Sequence, residues 1–164
     1  MAAEAWLALK LLLLIGVANS APILAKRWLG TRAGVPLDGG LRFFDGERLL
    51  GPSKTLRGVA AAVAATALAA PWLGLTAANG AAIGAAAMAG DALSSFVKRR
   101  LRLAPSAKAT GLDQIPESLL PLLALRDALD LAPGTVAAVT LLFFALEIPL
   151  ARLSHRLGLR DTPY

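Results

Sequence analysis

Residues 81 to 97 are apolar or small except for Asp91 and the Ser94-Ser95 pair, and the run ends abruptly at Lys98-Arg99-Arg100-Leu101-Arg102. A carboxylate at the centre of a hydrocarbon-length helix costs roughly 2.5–3.5 kcal/mol on insertion scales, so such an acid is usually kept for pairing, ion binding or catalysis. Asp91 lies seven residues before Lys98, which at ~1.5 Å per residue is about 10 Å from the basic end of the segment. A group at that depth can meet water-soluble and lipid substrates together.

Other segments repeat the pattern. Trp6 to Ala25 is a first apolar run, interrupted by Lys10 and by Asn19-Ser20 before Pro22. Ala18-Asn19-Ser20 has the small-residue spacing of a signal-peptide cleavage site, but no Lys or Arg precedes the apolar stretch, and a membrane helix is the reading adopted. Asn19 followed by Pro22 fits either a helix fraying as it leaves the membrane or an amide presented toward a site by a broken turn. Gly58 to Leu75 is a second span with Pro71-Trp72 at its far end, and Ala77 to Val97 a third. The uncharged connection between them predicts an antiparallel hairpin, and Gly80 and Gly84 have the small-xxx-small spacing of closely packed helices. Pro116 favours a helix start for a fourth segment reaching about Leu131, although Pro121 and Arg126-Asp127 interrupt it; Pro133 to Leu153 is a fifth, containing Glu147 and Pro149. With 56% hydrophobic residues in 164, the expectation is an all-α integral membrane protein of five transmembrane helices, forming a single domain. Its low aromatic content and Ala/Leu/Gly richness argue against a β-barrel. The lack of cysteine removes disulfides and thiolate metal sites.

The basic residues are one-sided. Of 17 Lys and Arg, seven lie in a loop at about 26–57, five in a loop at about 98–112 and three in the tail beyond Leu150. Five spans place all of these on one side, which the positive-inside rule assigns to the cytoplasm, with the N-terminus outside. The formal charge of +6 is thereby accounted for without nucleic acid. Within the first loop, Phe43-Phe44-Asp45-Gly46 is a turn signal with an aromatic anchor. Gly51-Pro52-Ser53-Lys54-Thr55-Leu56-Arg57-Gly58 has the donors, charge and following helix N-terminus of an anion cradle, and equally suits a basic rim touching lipid head groups. It lacks the glycine spacing of a Walker motif.

Asp91 and Asp113, with Glu117 at i+4 from Asp113, stand on the same side as at least a dozen cations. Carboxylates that hold Mg²⁺, beside Lys and Arg that neutralise phosphate oxygens, suggest a metal–phosphate site. No nucleophilic triad is available, and the one histidine, His155, lies in the tail. A lipid phosphate needs no such residue, because its second pKa of ~6 leaves it largely anionic at neutral pH. Nucleotidyl transfer to a lipid phosphate fits these groups.

At these residues the sequence resembles the CDP-archaeol synthases, membrane cytidylyltransferases related to the bacterial CDP-diacylglycerol synthases. The likeness rests on Asn19 and Pro22, on Phe43 to Gly46, on Gly51 with Lys54 to Gly58, and above all on Gly90-Asp91-Ala92-Leu93-Ser94-Ser95-Phe96-Val97-Lys98-Arg99-Arg100. Leu112-Asp113-Gln114 and the ending Leu157 to Tyr164 extend it. It implies a five-helix membrane fold and the reaction of CTP with an unsaturated archaeal ether-lipid phosphate, giving a CDP-lipid and pyrophosphate with Mg²⁺, at the cytoplasmic side of the cell membrane. It further implies Asp91, Asp113 and Lys98 as catalytic residues and Asp91 and Asp113 as metal ligands, with Glu117 the candidate third carboxylate where this chain lacks the family's usual second acid. Asn19, Asp45, Lys54, Thr55, Arg57, Ser94, Ser95, Lys98, Arg99, Arg100 and Gln114 would bind CTP and phosphate. The chain departs from the family at Ile115-Pro116, where Leu-Asp is usual, and at Pro52, where an acidic or amide residue is common. A CDP-alcohol phosphotransferase lacks support, since its multi-aspartate signature is missing downstream of Asp45. A small ion-binding transporter is the competing class, without the internal symmetry such proteins often carry.

Overall fold

A computed structural model describes residues 2–30, 32–104 and 107–159. The last residues of the ending singled out above, 160–164, lie outside the described residues. Among the described residues five α-helices follow in order: α1 Ala2–Leu29, α2 Leu56–Ala69 extended by a single 3₁₀ turn at Ala70–Leu73, α3 Ala77–Arg100, α4 Gln114–Ala124 and α5 Pro133–Arg156. Among the described residues no strand forms, only isolated antiparallel bridges at Pro36–Thr55 and Arg42–Arg48. The all-helical membrane architecture is therefore as expected. Four of the helical units, α1, α2 with its 3₁₀ turn, α3 and α5, are long and apolar enough to cross a membrane.

The first helix is longer than its apolar run. Instead of fraying or breaking near Asn19, it continues through Pro22 to Leu29. Its Leu11, Leu14, Ile15 and Ala18 are buried in the core, so it is an integral wall of the bundle. Thr55 caps α2 by accepting a bond from the Gly58 amide at 3.1 Å, and a Cβ at Gly58 would crowd the Thr55 hydroxyl and touch the Pro22 ring. The predicted α2–α3 hairpin is present, and its glycines explain how close it is: a Cβ at Gly80 would meet the Thr66 carbonyl, and one at Gly84 would meet Thr66 Oγ1 and the Ala62 carbonyl.

The fourth segment differs from the span expected to Leu131. Its helix has 11 residues, about 16 Å against a hydrocarbon core of about 30 Å. Charged Arg126, Asp127 and Asp130 follow, the backbone turns from 125 to 130, and Asp130 adopts φ 48°. Leu122, Leu125 and Leu131 nevertheless remain buried in one cluster with Leu11 and Ala70, so the segment still carries the chain toward the far face. From there α5 returns: Arg27, near the end of α1, donates to the Gly158 carbonyl at 2.5 Å. The first loop and the end of α5 thus share one face of the bundle. Leu142, Leu146, Leu150 and Leu153 form an exposed stripe along α5, the side chains a spanning helix turns to lipid.

Candidate active site

One face of α3 carries Asp91, Ser95 and Lys98, spaced so that all three point the same way. They line a cavity of about 470 Å³ between α1, α3, α4, α5 and the first loop. Its wall includes six basic side chains, Lys26, Arg27, Lys54, Lys98, Arg99 and Lys108, against four acids, Asp91, Asp113, Glu117 and Glu147. A second cavity of about 480 Å³ lies against the start of α2 and is lined by Leu37, Pro52, Thr55, Arg57, Gly58, Val59 and Ala92 among others. Lys54, Asp91, Ser53, Met88, Pro22 and Lys26 border both.

Lys54 and Asp91 stand at that junction as a bidentate pair, Lys54 Nζ lying 2.6 and 2.5 Å from the two Asp91 oxygens. The lysine is delivered by an ordered loop. Asp38, whose side chain is wholly buried, accepts bonds from the amides of Gly40, Leu50 and Gly51 at 3.0–3.1 Å and from Arg48 at 3.1 Å. Burial pushes the Asp38 carboxyl up, but these three amides and the Arg48 guanidinium outweigh it and hold it at about 2. Gly51 sits at φ 110°, open to glycine alone, and the Leu37 amide donates to the Lys54 carbonyl at 2.7 Å. Asp38 was not among the expected residues; a lone acid before two glycines in a polar loop carries no sign of its burial.

The other acids come from α4 and its approach. A Cβ at Gly90 would collide with the Pro116 carbonyl and the Glu117 amide, so the missing side chain lets the first turn of α4 lie directly on α3. That contact brings the Glu117 carboxyl within hydrogen-bonding reach of Asp91. Asp113 is turned elsewhere: it pairs with Lys98 at 2.5 Å and accepts the Ala109 amide at 3.0 Å. The three-carboxylate shell of Asp91, Asp113 and Glu117 is accordingly not assembled, and among the described residues no group of three or more such ligands is close enough to hold a metal ion. Lys54 and Lys98 each pair with one of the two aspartates. The touching pair of Asp91 and Glu117 still suits Mg²⁺, which typically takes one or two carboxylates and completes its shell with water and substrate phosphate oxygens.

The remaining expected residues divide. Asn19 lines the first cavity with a buried Nδ2 that has no hydrogen-bond partner. Ser95, Arg99 and Gln114 line it too; Arg99 donates to the Ala104 carbonyl at 2.8 Å and leaves its buried Nε without a hydrogen-bond partner. Gln114 bridges the Gly111 amide at 2.8 Å and Glu147 at 3.0 Å. Thr55 and Arg57 face the second cavity, Arg57 bonded to the Gly30 and Arg32 carbonyls at 2.7 Å. Three of the expected residues border neither cavity. Ser94 is buried and donates to the Gly90 and Leu112 carbonyls, joining α3 to the α4 approach. Asp45 and Arg100 pair with each other at 3.0 Å and border neither cavity. Conversely, Glu147 was not assigned to the site although, like Asp91, it is an acid inside an apolar helix, the same signal.

Known proteins match this chain over most of its length. The family described as CarS-like, CDP-archaeol synthase, matches residues 6–84 and 75–164. The chain is 41% identical over 162 residues to the CDP-archaeol synthase of Hyperthermus butylicus, covering 90% of this chain and 89% of that one. It is 39% identical over 160 residues to the CDP-archaeol synthase of Aeropyrum pernix, with 90% and 86% covered. A solved structure of an intramembrane enzyme for archaeal membrane lipids biosynthesis aligns with a TM-score of 0.71 at 34% identity, over 87% of this chain and 91% of the other.

Proposed function

Because the chain belongs to the CDP-archaeol synthase family, we propose that it joins CTP to an archaeal ether-lipid phosphate, giving a CDP-lipid and pyrophosphate in a Mg²⁺-dependent reaction. The observation that carries this reading is the meeting of two cavities at one lysine–aspartate pair. A two-substrate transfer needs both reactants at one point while each keeps its own surroundings. The first cavity, with its surplus of basic side chains, suits the triphosphate. The second, bordered by Leu37, Val59, Met88 and Arg57, suits a phosphate on an apolar body.

In the reaction an oxygen of the lipid phosphate attacks the α-phosphorus of CTP. The bond from that phosphorus to the β-phosphate's bridging oxygen breaks, and pyrophosphate carries the charge away. No residue has to remove a proton, since the nucleophile is already an anion. Mg²⁺, held by Asp91 and Glu117, would supply positive charge to the phosphate oxygens as they develop charge. Lys54, Lys98 and Arg99 bind and orient the triphosphate, and their low exposure in a partly dry site strengthens each charge-assisted bond. Lys54 would exchange Asp91 for an oxygen of an arriving phosphate, and Asp91 would then be one of the residues that hold the metal. The basic face that carries the cavities lies in the cytoplasm, on the positive-inside rule, where CTP is available.

Purified protein in detergent, given CTP labelled in the α-phosphate, Mg²⁺ and a panel of ether-lipid phosphates and phosphatidic acid, should transfer label to lipid, with the ether lipid favoured. Asp91→Asn should abolish the transfer with the protein still folded. Equal turnover by Asp91→Asn would refute the site, and preference for phosphatidic acid would refute the lipid.

A further inference from the structure

The face of α3 opposite the first cavity carries a second assembly, whose residues line neither cavity. Leu93, Phe96 and Arg100 share that face. Against it lies a short hairpin, closed by the Arg42–Arg48 bridge, by the Phe43 amide on the Glu47 carbonyl at 2.9 Å and by the Gly46 amide on the Phe43 carbonyl at 3.0 Å. The hairpin is clamped rather than loosely laid. The Arg100 guanidinium sits between the rings of Phe43 and Phe96, 4.6 and 4.8 Å from their centroids, pairs with Asp45 at 3.0 Å and donates to the Arg48 carbonyl at 2.8 Å. Phe43 meets Phe96 edge to face at 5.4 Å, and Phe44 meets Phe43 at 5.0 Å. Beyond that contact Phe44 is 100% exposed.

We propose that this hairpin is a membrane-interface anchor, with Phe44 inserted at the boundary between head groups and acyl chains and Arg42 among the lipid phosphates. Depth supports the bilayer as the occupant. Helix α3 has 24 residues, about 36 Å, against a hydrocarbon core of about 30 Å, so each end overhangs by about 3 Å. Phe96 lies four residues, about 6 Å, before the last residue, which sets the Phe43–Phe44 pair at the edge of the hydrocarbon. Exposed Leu93 continues the same surface into the span, so the patch is continuous with the lipid-facing side of the helix. Aromatic and arginine side chains are the residues that settle at this level. The hairpin also leads to the reaction centre: Arg48 joins it to Asp38, and Asp38 holds Leu50 and Gly51, three residues before Lys54. An anchored tip would hold the lysine at a constant height over the bilayer.

The chain has no cysteine, so a spin label at Phe44→Cys reports a single position. In lipid vesicles, the label should collide with oxygen several-fold more than with a water-soluble nickel chelate. A label at Thr110→Cys in the second loop should show the reverse. Retained CDP-lipid synthesis by each variant confirms its fold, and Phe44→Trp, read by quenching with brominated acyl chains, gives a second measure. Accessibility at position 44 matching that at 110 would overturn the proposal, as would a label shielded from both reagents and broadened by a neighbouring label, the result expected of a second copy.

Discussion

Gly90→Ala tests how the site is assembled, because it touches no substrate. The added Cβ would lie 2.8 Å from the Glu117 amide nitrogen and still closer to the Pro116 carbonyl, whereas ordinary van der Waals contact begins near 3.4 Å. Both atoms are backbone, so no side chain can swing away; the start of α4 must retreat by roughly 1 Å, a displacement that elsewhere costs about 10²-fold in rate. Overpacking of this kind also costs about 1–3 kcal/mol of stability. Gly84→Ala separates the two effects, since its Cβ would press on Val63 and Ala62 of α2 at 2.9 Å, away from the carboxylates. Thermal unfolding and steady-state kinetics in the same detergent should find both variants destabilised, with turnover down about 10²-fold in Gly90→Ala and far less affected in Gly84→Ala. Parental turnover in Gly90→Ala, or equal losses in the two, would refute the claim that this glycine sets the Asp91–Glu117 contact.

Lys54→Met should lower turnover by about 10- to 100-fold, the worth of a charge-assisted bond, yet tighten nucleotide-free Mn²⁺ binding as read by electron paramagnetic resonance, because Asp91 loses its internal cation. Arg99→Ala should weaken CTP binding by about 10- to 100-fold in calorimetry, whereas Arg100→Ala should lose much less affinity but expose the first loop to protease, since its guanidinium holds the hairpin. The Asp38 carboxyl is held at about 2 against an ordinary 3.8. It therefore contributes up to about 2 kcal/mol that is fully present above pH ~4 and lost as the pH falls toward 2. Acid titration of unfolding should show that loss in the parent protein and not in Asp38→Asn.

Long-period features were legible in the chain before its structure. Spans, the antiparallel hairpin at Gly80 and Gly84, and the clustering of Asp91 with Lys54 and Lys98 all follow from hydropathy, spacing and charge, which act residue by residue. The shortness of α4 was signalled by Pro121 and Arg126-Asp127, but a window rich in leucine outweighs them in any average. What stayed hidden depends on direction. Arg99 and Arg100 are neighbours in a run of three cations, yet a helix turns them by about 100°, sending one to the cavity and the other between two rings. Asp45 and Asp38 are alike as loop acids, and only the folded loop makes one a clamp and the other a buried hub. Asp113 reads in the sequence as one more acid of the site, and only the fold shows it paired with Lys98.

In the reaction proposed above, the α-phosphorus of CTP passes to a lipid phosphate where Lys54 meets Asp91. Parallel reactions of the purified protein with CTP labelled at the α- or the γ-phosphorus, Mg²⁺ and an ether-lipid phosphate test it in one measurement. The α-label should enter the lipid phase while γ-label stays in water as pyrophosphate, and both movements should cease in Asp91→Asn. Appearance of γ-label in the lipid, or α-label transfer that survives Asp91→Asn, would contradict it.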